Sequence, residues 1–190
     1  MPNTKVLLNR CFGSGKLFYE QYHDNEWGIP VYDDRLLFEM LILEGAHAGL
    51  SWEIVLKKRQ EYKKCFYNFD VNKVANMTNQ QLEDLLTNPG LIRNRLKIYS
   101  ARKNALAYIQ IQKEFGSFSN YLWAYVDNKQ INNHFSKPED MPTSTDLSDK
   151  LSKDLKKRGM SFVGTTIIYS YLQAVGVIDD HLTTCHCYKK

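Results

Sequence analysis

Glu44 is the side chain whose surroundings make its chemistry unusual. It closes an almost unbroken apolar run, Leu36-Leu37-Phe38-Glu39-Met40-Leu41-Ile42-Leu43-Glu44, which leads through Gly45-Ala46-His47-Ala48-Gly49-Leu50-Ser51 to Trp52. On a helix, Leu37, Met40, Leu41 and Glu44 share one face, because residues three and four apart are neighbours. That face is otherwise apolar, so the carboxylate is aimed at the interior. An unpaired carboxylate there costs several kcal/mol or takes up a proton. Such a group needs a partner in the fold or a ligand to meet, and a bond to local backbone is the plainer of the two readings. Glu39, on the opposite side, reads as an ordinary solvent-facing residue.

A second set of reactive side chains sits at the two ends of the chain. Cys11 and His23 lie near the start; His181 and Cys185 lie near the finish with His-x3-Cys spacing. Together they make a Cys2His2 set suited to tetrahedral Zn2+, and a closed four-ligand site is structural because no position is left for water or substrate. Its use would be to tie together termini that otherwise fray. His186 and Cys187 compete for the same role. Cys65 has no other ligand type nearby and reads as a free thiol filling space.

Helical periodicity dominates the elements that must position these groups, and no convincing pair of alternating strands is found. Asp33 and Asp34 offer N-caps to the apolar helix. A second helix is expected from Trp52 to Lys63, with Lys57-Lys58-Arg59 as its basic face. Asp70 caps a short helix, Val71 to Met77, and Thr78-Asn79-Gln80-Gln81 has the spacing of a capping box ahead of Leu82 to Leu86. Asn88-Pro89-Gly90 breaks the chain before a long helix from Leu91 to Phe115. Phe118 to Val126 reads as an aromatic helix, and residues 127–143 as a long polar loop. Ser144 to Arg158 and Phe162 to Val175 are the last helices, closed by Gly159 and Gly176. The expectation is one all-α domain spanning residues 1–190.

The composition agrees with that architecture. The chain has 190 residues, 43% apolar and 24% charged, as in ordinary globular domains. No stretch approaches the eighteen apolar residues of a membrane span. The apolar start Val6-Leu7-Leu8 is too short for a signal-peptide core, which points to the cytoplasm and away from disulfides. A net charge of +4 permits a nucleic-acid partner without demanding one.

Three stretches carry a resemblance. Tyr22-His23-Asp24-Asn25-Glu26-Trp27-Gly28, Leu43-Glu44-Gly45 with Ala48-Gly49-Leu50-Ser51-Trp52, and Phe162-Val163-Gly164-Thr165-Thr166 closely resemble motifs of the 3-methyladenine DNA glycosylase I family, in family order. The likeness runs from about Arg10-Cys11 to Cys185. It implies a helix-hairpin-helix glycosylase fold with a structural zinc on Cys11, His23, His181 and Cys185, Cys187 standing as the alternative fourth ligand. It further implies a base-excision enzyme that extrudes N3-methylated adenine from double-stranded alkylated DNA, releases the free base and leaves an abasic site, acting as a monomer without a lyase step.

The resemblance assigns roles residue by residue. Glu44 reads the alkylated adenine edge, Tyr22 and Trp52 stack on or line the base, and Tyr19, Trp27 and Phe12 complete the aromatic wall. Leu50 wedges into the gap left in the duplex, with Ser51 beside it, and Gly164 and Thr165 of the hairpin face a phosphate. Lys57-Lys58-Arg59, Arg93 with Arg95 and Lys97, and Lys156-Lys157-Arg158 are expected to form a phosphate-binding surface. Asp180, next to a proposed metal ligand, is read as structural. The chain departs from the family pattern at Phe12, where a Trp is usual, at His47 near a family Gln, and at Met160-Ser161. Against the enzyme stand a non-catalytic sensor of alkylated DNA and a zinc-stapled interaction protein with no DNA role.

Overall fold

In a computed structural model, which describes residues 8–189, the chain is built from helices around one that is buried on every side. The reading of the extreme N-terminus as too short for a signal peptide lies outside the described residues. The buried helix, α2 (Asp34–His47), has every residue from Leu37 to Ala46 shielded from solvent. A helix apolar all round belongs at a core, not on a surface. It packs against α3 (Trp52–Cys65), α6 (Arg95–Phe115), α7 (Phe118–Ala124) and α9 (Thr165–Ala174). Around this group lie α1 (Leu17–Asn25), the short α4 (Val71–Ala75) and α5 (Asn79–Leu85) against α6, and α8 (Asp146–Lys157) paired with α9.

The caps expected from sequence largely close the helices. Asp33 accepts from the Leu36 N–H, Asp70 from Asn72 and Lys73, and Thr78 with Gln81 forms a reciprocal capping box. Asp34 serves another helix: its carboxylate accepts from the N–H groups of Phe118 and Ser119, pinning the start of α7 to the start of α2. Such bonds satisfy donors that a helix N-terminus leaves orphaned.

Several boundaries differ from expectation. The long helix begins at Arg95, not Leu91; Asn94 caps it through the Lys97 N–H, and Leu91 is buried as part of a loop. The last helix begins at Thr165 instead of Phe162, because Phe162 has φ +57° and cannot continue a right-handed helix. Helix α1 was not expected at all. Its apolar stripe is interrupted by polar residues, although Tyr19, Tyr22, His23 and Glu26 do follow helical spacing. Two short strands, β1 (Ile131–Asn132) within the stretch 127–143 that reads as loop and β2 (Ile178–Asp179) just after α9, form a parallel pair. None of the described helices is long and apolar enough to cross a membrane.

Glu39 is the clearest correction. It is fully buried, and Arg59 Nε donates to its Oε1 at 2.6 Å while Lys63 lies 3.2 Å away. The expected solvent face is missing because α2 has none between Leu37 and Ala46.

Candidate active site

The connection from α2 to α3 takes only four residues, and this brings Trp52 back beside Glu44. Gly49 has φ +75°, a conformation that side chains resist, and the Leu50 N–H donates to the His47 carbonyl at 2.7 Å. Lys97 of α6 then donates from Nζ to the carbonyls of Ala46 and Ala48 at 2.9 and 2.6 Å. A cation on the last carbonyls of a helix satisfies orphan acceptors and suits the macrodipole. At Gly45 an added Cβ would lie 3.3 Å from the Phe162 Cβ, so the α8–α9 turn rests on α2 one residue from Glu44.

These elements enclose a cavity of about 250 Å3. Glu44, His47 and Trp52 form one side; Tyr19 and Tyr22 of α1, Trp27 after it, and Phe12 before it form the aromatic wall. The volume is below the roughly 300–1,000 Å3 of drug-sized sites and suits one small flat ring. Ring centroids of Tyr22 and Trp52 lie 5.4 Å apart, those of Phe12 and Trp27 5.0 Å, and those of Phe12 and Tyr19 5.1 Å. All six residues that the sequence nominates for the base therefore line one space. Sequence reasoning missed the far wall, Ser170 and Gln173 of α9 and Met141 of the 127–143 loop. The spacing of Ser170 and Gln173 on one face of the motif-bearing helix was the available signal.

Glu44 is only 3% exposed. Burial holds its carboxyl above the ordinary glutamate range, and the adjacent His47 pulls the other way. His47 Nδ1 lies 3.2 Å from Glu44 Oε2, three residues along the same helix, and the His47 ring meets Trp52 edge-on at 5.5 Å. The Tyr22 hydroxyl is pushed well above the usual phenol value by burial, with the Glu44 charge adding to it, and so stays protonated. Trp52 Nε1 is buried without a hydrogen-bond partner among the described residues. A buried unpaired donor is costly, so it marks a place where a ligand or water is accommodated.

The residues expected to meet DNA are placed less uniformly. Leu50 and Ser51 are exposed on the α2–α3 turn, outside the cavity lining. Gly164 is the N-cap of α9, whose first turn receives no side-chain cap. The Thr165 hydroxyl, by contrast, is taken up by Asp149 and Ser148 of α8. The basic clusters are mostly spent internally. Arg59 bridges Glu39 and Glu26, Arg158 pairs with Glu114 and Asp154, Arg95 with Glu83, and Lys97 caps α2. Lys156 and Lys157 remain exposed with no ion pair among the described residues. Asp180 is fully buried, does not line the cavity, and accepts from Asn133 and Gln173, each at 2.7 Å, and from Tyr169.

Behind the Phe12–Trp27 wall lies the cluster of donors from the chain ends. Ligand atoms of His23, His181, Cys185 and Cys187 all lie within 4.8 Å of one another. Cys11 stands beside this group: its sulfur interacts with Cys185 and accepts the Leu182 N–H at 3.4 Å. Without a cation, burial pushes the Cys11 thiol up to about 12. Both histidines are oriented from behind. His23 Nδ1 meets Asp24 Oδ1 at 2.8 Å and His181 Nδ1 meets Asp179 Oδ1 at 2.7 Å, which turns each Nε2 inward. Carboxylates in that position fix the tautomer of metal-ligating histidines. His181 Nε2 is buried and unpartnered among the described residues. Two aimed imidazoles with thiols fit the donor set of tetrahedral zinc.

Fold and site together define a helical protein with an aromatic, carboxylate-bearing pocket braced by a metal-type donor cluster. The family model described as methyladenine glycosylase matches residues 13–188, and the chain belongs to that family. It is 48% identical over 182 residues, 95% of this chain and 97% of the other, to DNA-3-methyladenine glycosylase 1 of Escherichia coli (strain K12). A crystal structure of 3-methyladenine DNA glycosylase I superposes with a TM-score of 0.93 at 47% identity, covering 95% of this chain and all of that one. The Staphylococcus aureus enzyme, whose structure addresses 3-methyladenine recognition, gives a TM-score of 0.93 at 41% identity over 96% of this chain and 98% of its own.

Proposed function

We propose that this chain excises 3-methyladenine from alkylated DNA by hydrolysing its N-glycosidic bond. The observation that carries the proposal is the Glu44 carboxylate, almost wholly buried in a ring-walled cavity. An enzyme acting on a duplex base must turn it out of the stack and then hold it by stacking and edge contacts. Tyr22 and Trp52 supply the stacking, worth roughly 1–3 kcal/mol per base. N3-methylated adenine in DNA carries positive charge, so a carboxylate in a dry pocket selects it over neutral adenine. His47 occupies Glu44 Oε2, which leaves Oε1 for the base. The same positive charge makes the base a good leaving group, so extrusion, selective binding and access for water suffice. Among the described residues no lysine lines the cavity, which favours hydrolysis without a Schiff base or strand nicking.

On the DNA side, the exposed Leu50 fills the gap left by the base, Ser51 sits beside it, and the backbone N–H groups opening α9 at Gly164–Thr165 meet a phosphate. The chain acts in the cytoplasm as a monomer on double-stranded DNA. His23, His181, Cys185 and one further thiol would hold a zinc ion, which would supply a structural cross-link between the chain ends.

The test is release of free 3-methyladenine from methylated duplex DNA, with abasic sites and intact strands as the other products. Glu44→Gln is expected to abolish release while keeping the fold. Binding of alkylated DNA by the wild type without release would replace the enzyme with a sensor. Metal analysis is expected to find about one zinc per chain.

A further inference from the structure

Asp180 is a fully buried acid that makes no ion pair among the described residues and does not line the cavity. Its oxygens are held instead by three neutral donors: Asn133 on Oδ1, and Gln173 and Tyr169 on Oδ2. Burying a carboxylate is costly unless its lone pairs are met, and a polar cluster so satisfied is rigid. A carboxylate only accepts, so the Gln173 atom 2.7 Å from Asp180 Oδ2 is the amide nitrogen. Burial and Asp180 push the Tyr169 hydroxyl above the usual phenol value, while a bond from Gln173 acts the other way, so the amide nitrogen faces Tyr169 as well. Gln173 lines the cavity and Asp180 lies behind it. With Nε2 drawn back to Asp180 and Tyr169, the carbonyl Oε1, without a partner among the described residues, is the end left toward the base.

We propose that Gln173 Oε1 is a specificity-determining acceptor that, with Glu44, tells N3-methylated adenine from N3-methylated guanine, and that Asp180 is the positioning residue that fixes it. The inference rests on the glycosylase reading above. Both methylated purines carry positive charge, so the Glu44 carboxylate separates them from normal bases but not from each other. At C6, adenine presents an amine with two N–H groups and guanine a carbonyl oxygen. Glu44 of α2 and Gln173 of α9 bring acceptors from opposite walls, one for each amine hydrogen. A C6 carbonyl meets two acceptors and no donor, and a site built for hydrogen bonds rejects a base that leaves its polar groups unpaired. A glutamine free to turn would swing its amide nitrogen round and donate to that carbonyl. Asp180 forbids the turn, because it accepts and does not donate.

The experiment measures release of 3-methyladenine and 3-methylguanine from the same duplex DNA treated with dimethyl sulfate. The wild type is expected to release 3-methyladenine faster. Gln173→Met keeps the length of the side chain and removes its acceptor; it is expected to narrow that preference about tenfold, the worth of one hydrogen bond, with the loss falling on 3-methyladenine. Tyr169→Phe tests the positioning, since its hydroxyl lies outside the cavity lining. A merely structural hydroxyl would lower the melting temperature and leave the ratio of the two bases unmoved; the expected result is a narrowed ratio. An unchanged ratio in Gln173→Met, or equal slowing of both bases, would overturn the acceptor role. An unchanged ratio in Tyr169→Phe would overturn the positioning, and equal release of both bases by the wild type would overturn the whole proposal. Release of neither base by the wild type would instead defeat the underlying glycosylase reading.

Discussion

Helix α2 carries two buried glutamates, and the protein treats them in opposite ways. Glu39 meets Arg59 and Lys63, and Arg59 passes on to Glu26, so two acids and two bases close a local balance. Among the described residues Glu44 has only His47 as a partner, and an open cavity faces it. Both carboxylates pay a similar desolvation cost on the same helix. In one case the fold supplies the compensation; in the other it is withheld, and the positive charge of a ligand is left to complete it. A buried acid met by two cations is part of the frame, even with its Oε2 left without a hydrogen bond among the described residues, and one that faces a cavity with a single histidine is part of the chemistry.

The comparison breaks most readily at Arg59. Arg59→Met leaves Glu39 buried against Lys63 alone, and removal of one partner from a buried pair costs about 3–5 kcal/mol. Urea denaturation is expected to show that loss; an unchanged midpoint would mean that the ion pairs contribute nothing. Glu44→Gln should do the reverse, weakening binding of the cationic base by about 2–5 kcal/mol, as truncating a buried charge partner does. Its thermal midpoint should not fall. The sign follows from burial, which raises the folded-state pKa of Glu44 above its unfolded value. Ionisation therefore destabilises the fold as pH rises from the unfolded toward the folded pKa, and the amide escapes this. For the same reason, 3-methyladenine binding should be lost on acidification at a higher pH than an exposed glutamate would give. A titration following binding from neutral pH downward checks it.

Smaller effects refine the picture. Trp52→Ala should weaken base binding by roughly 1–3 kcal/mol through lost stacking, without altering the preference for the cationic base over neutral adenine. Equal loss for both bases separates stacking from charge recognition in a competition assay. Lys97→Met removes the cap on the last carbonyls of α2. The expected cost is about 0.3–1 kcal/mol of stability, with a reduced excision rate because the turn carrying Trp52 loosens. A normal rate with lowered stability would confine Lys97 to the frame.

What could be read in advance follows the range of the interaction. Caps at Asp33, Asp70 and Thr78 are decided within three residues, and they stand where the pattern puts them. Phe162 misled the start of α9 because an apolar residue with a left-handed backbone looks like core in a sequence. The basic runs misled more seriously. Lys57-Lys58-Arg59 and Lys156-Lys157-Arg158 are continuous in sequence, yet Arg59 turns inward to an acid 20 positions away and Arg158 pairs at the surface with one 44 positions away. Charge along a chain does not say which ion pairs the fold will make.

The sequence by itself determined that α2 is helical, that Glu44 points away from water, and that cysteines and histidines at the two ends have ligand-like spacing, because each is local geometry and side-chain chemistry. Tertiary structure alone decided that Glu39 is balanced and Glu44 is not. It also decided that Ser170 and Gln173 close the pocket and that a fifth potential donor, Cys187, comes within reach of His23, His181 and Cys185. Those outcomes depend on which distant groups arrive within a few ångströms, and burial makes each such arrival, or its absence, worth several kcal/mol.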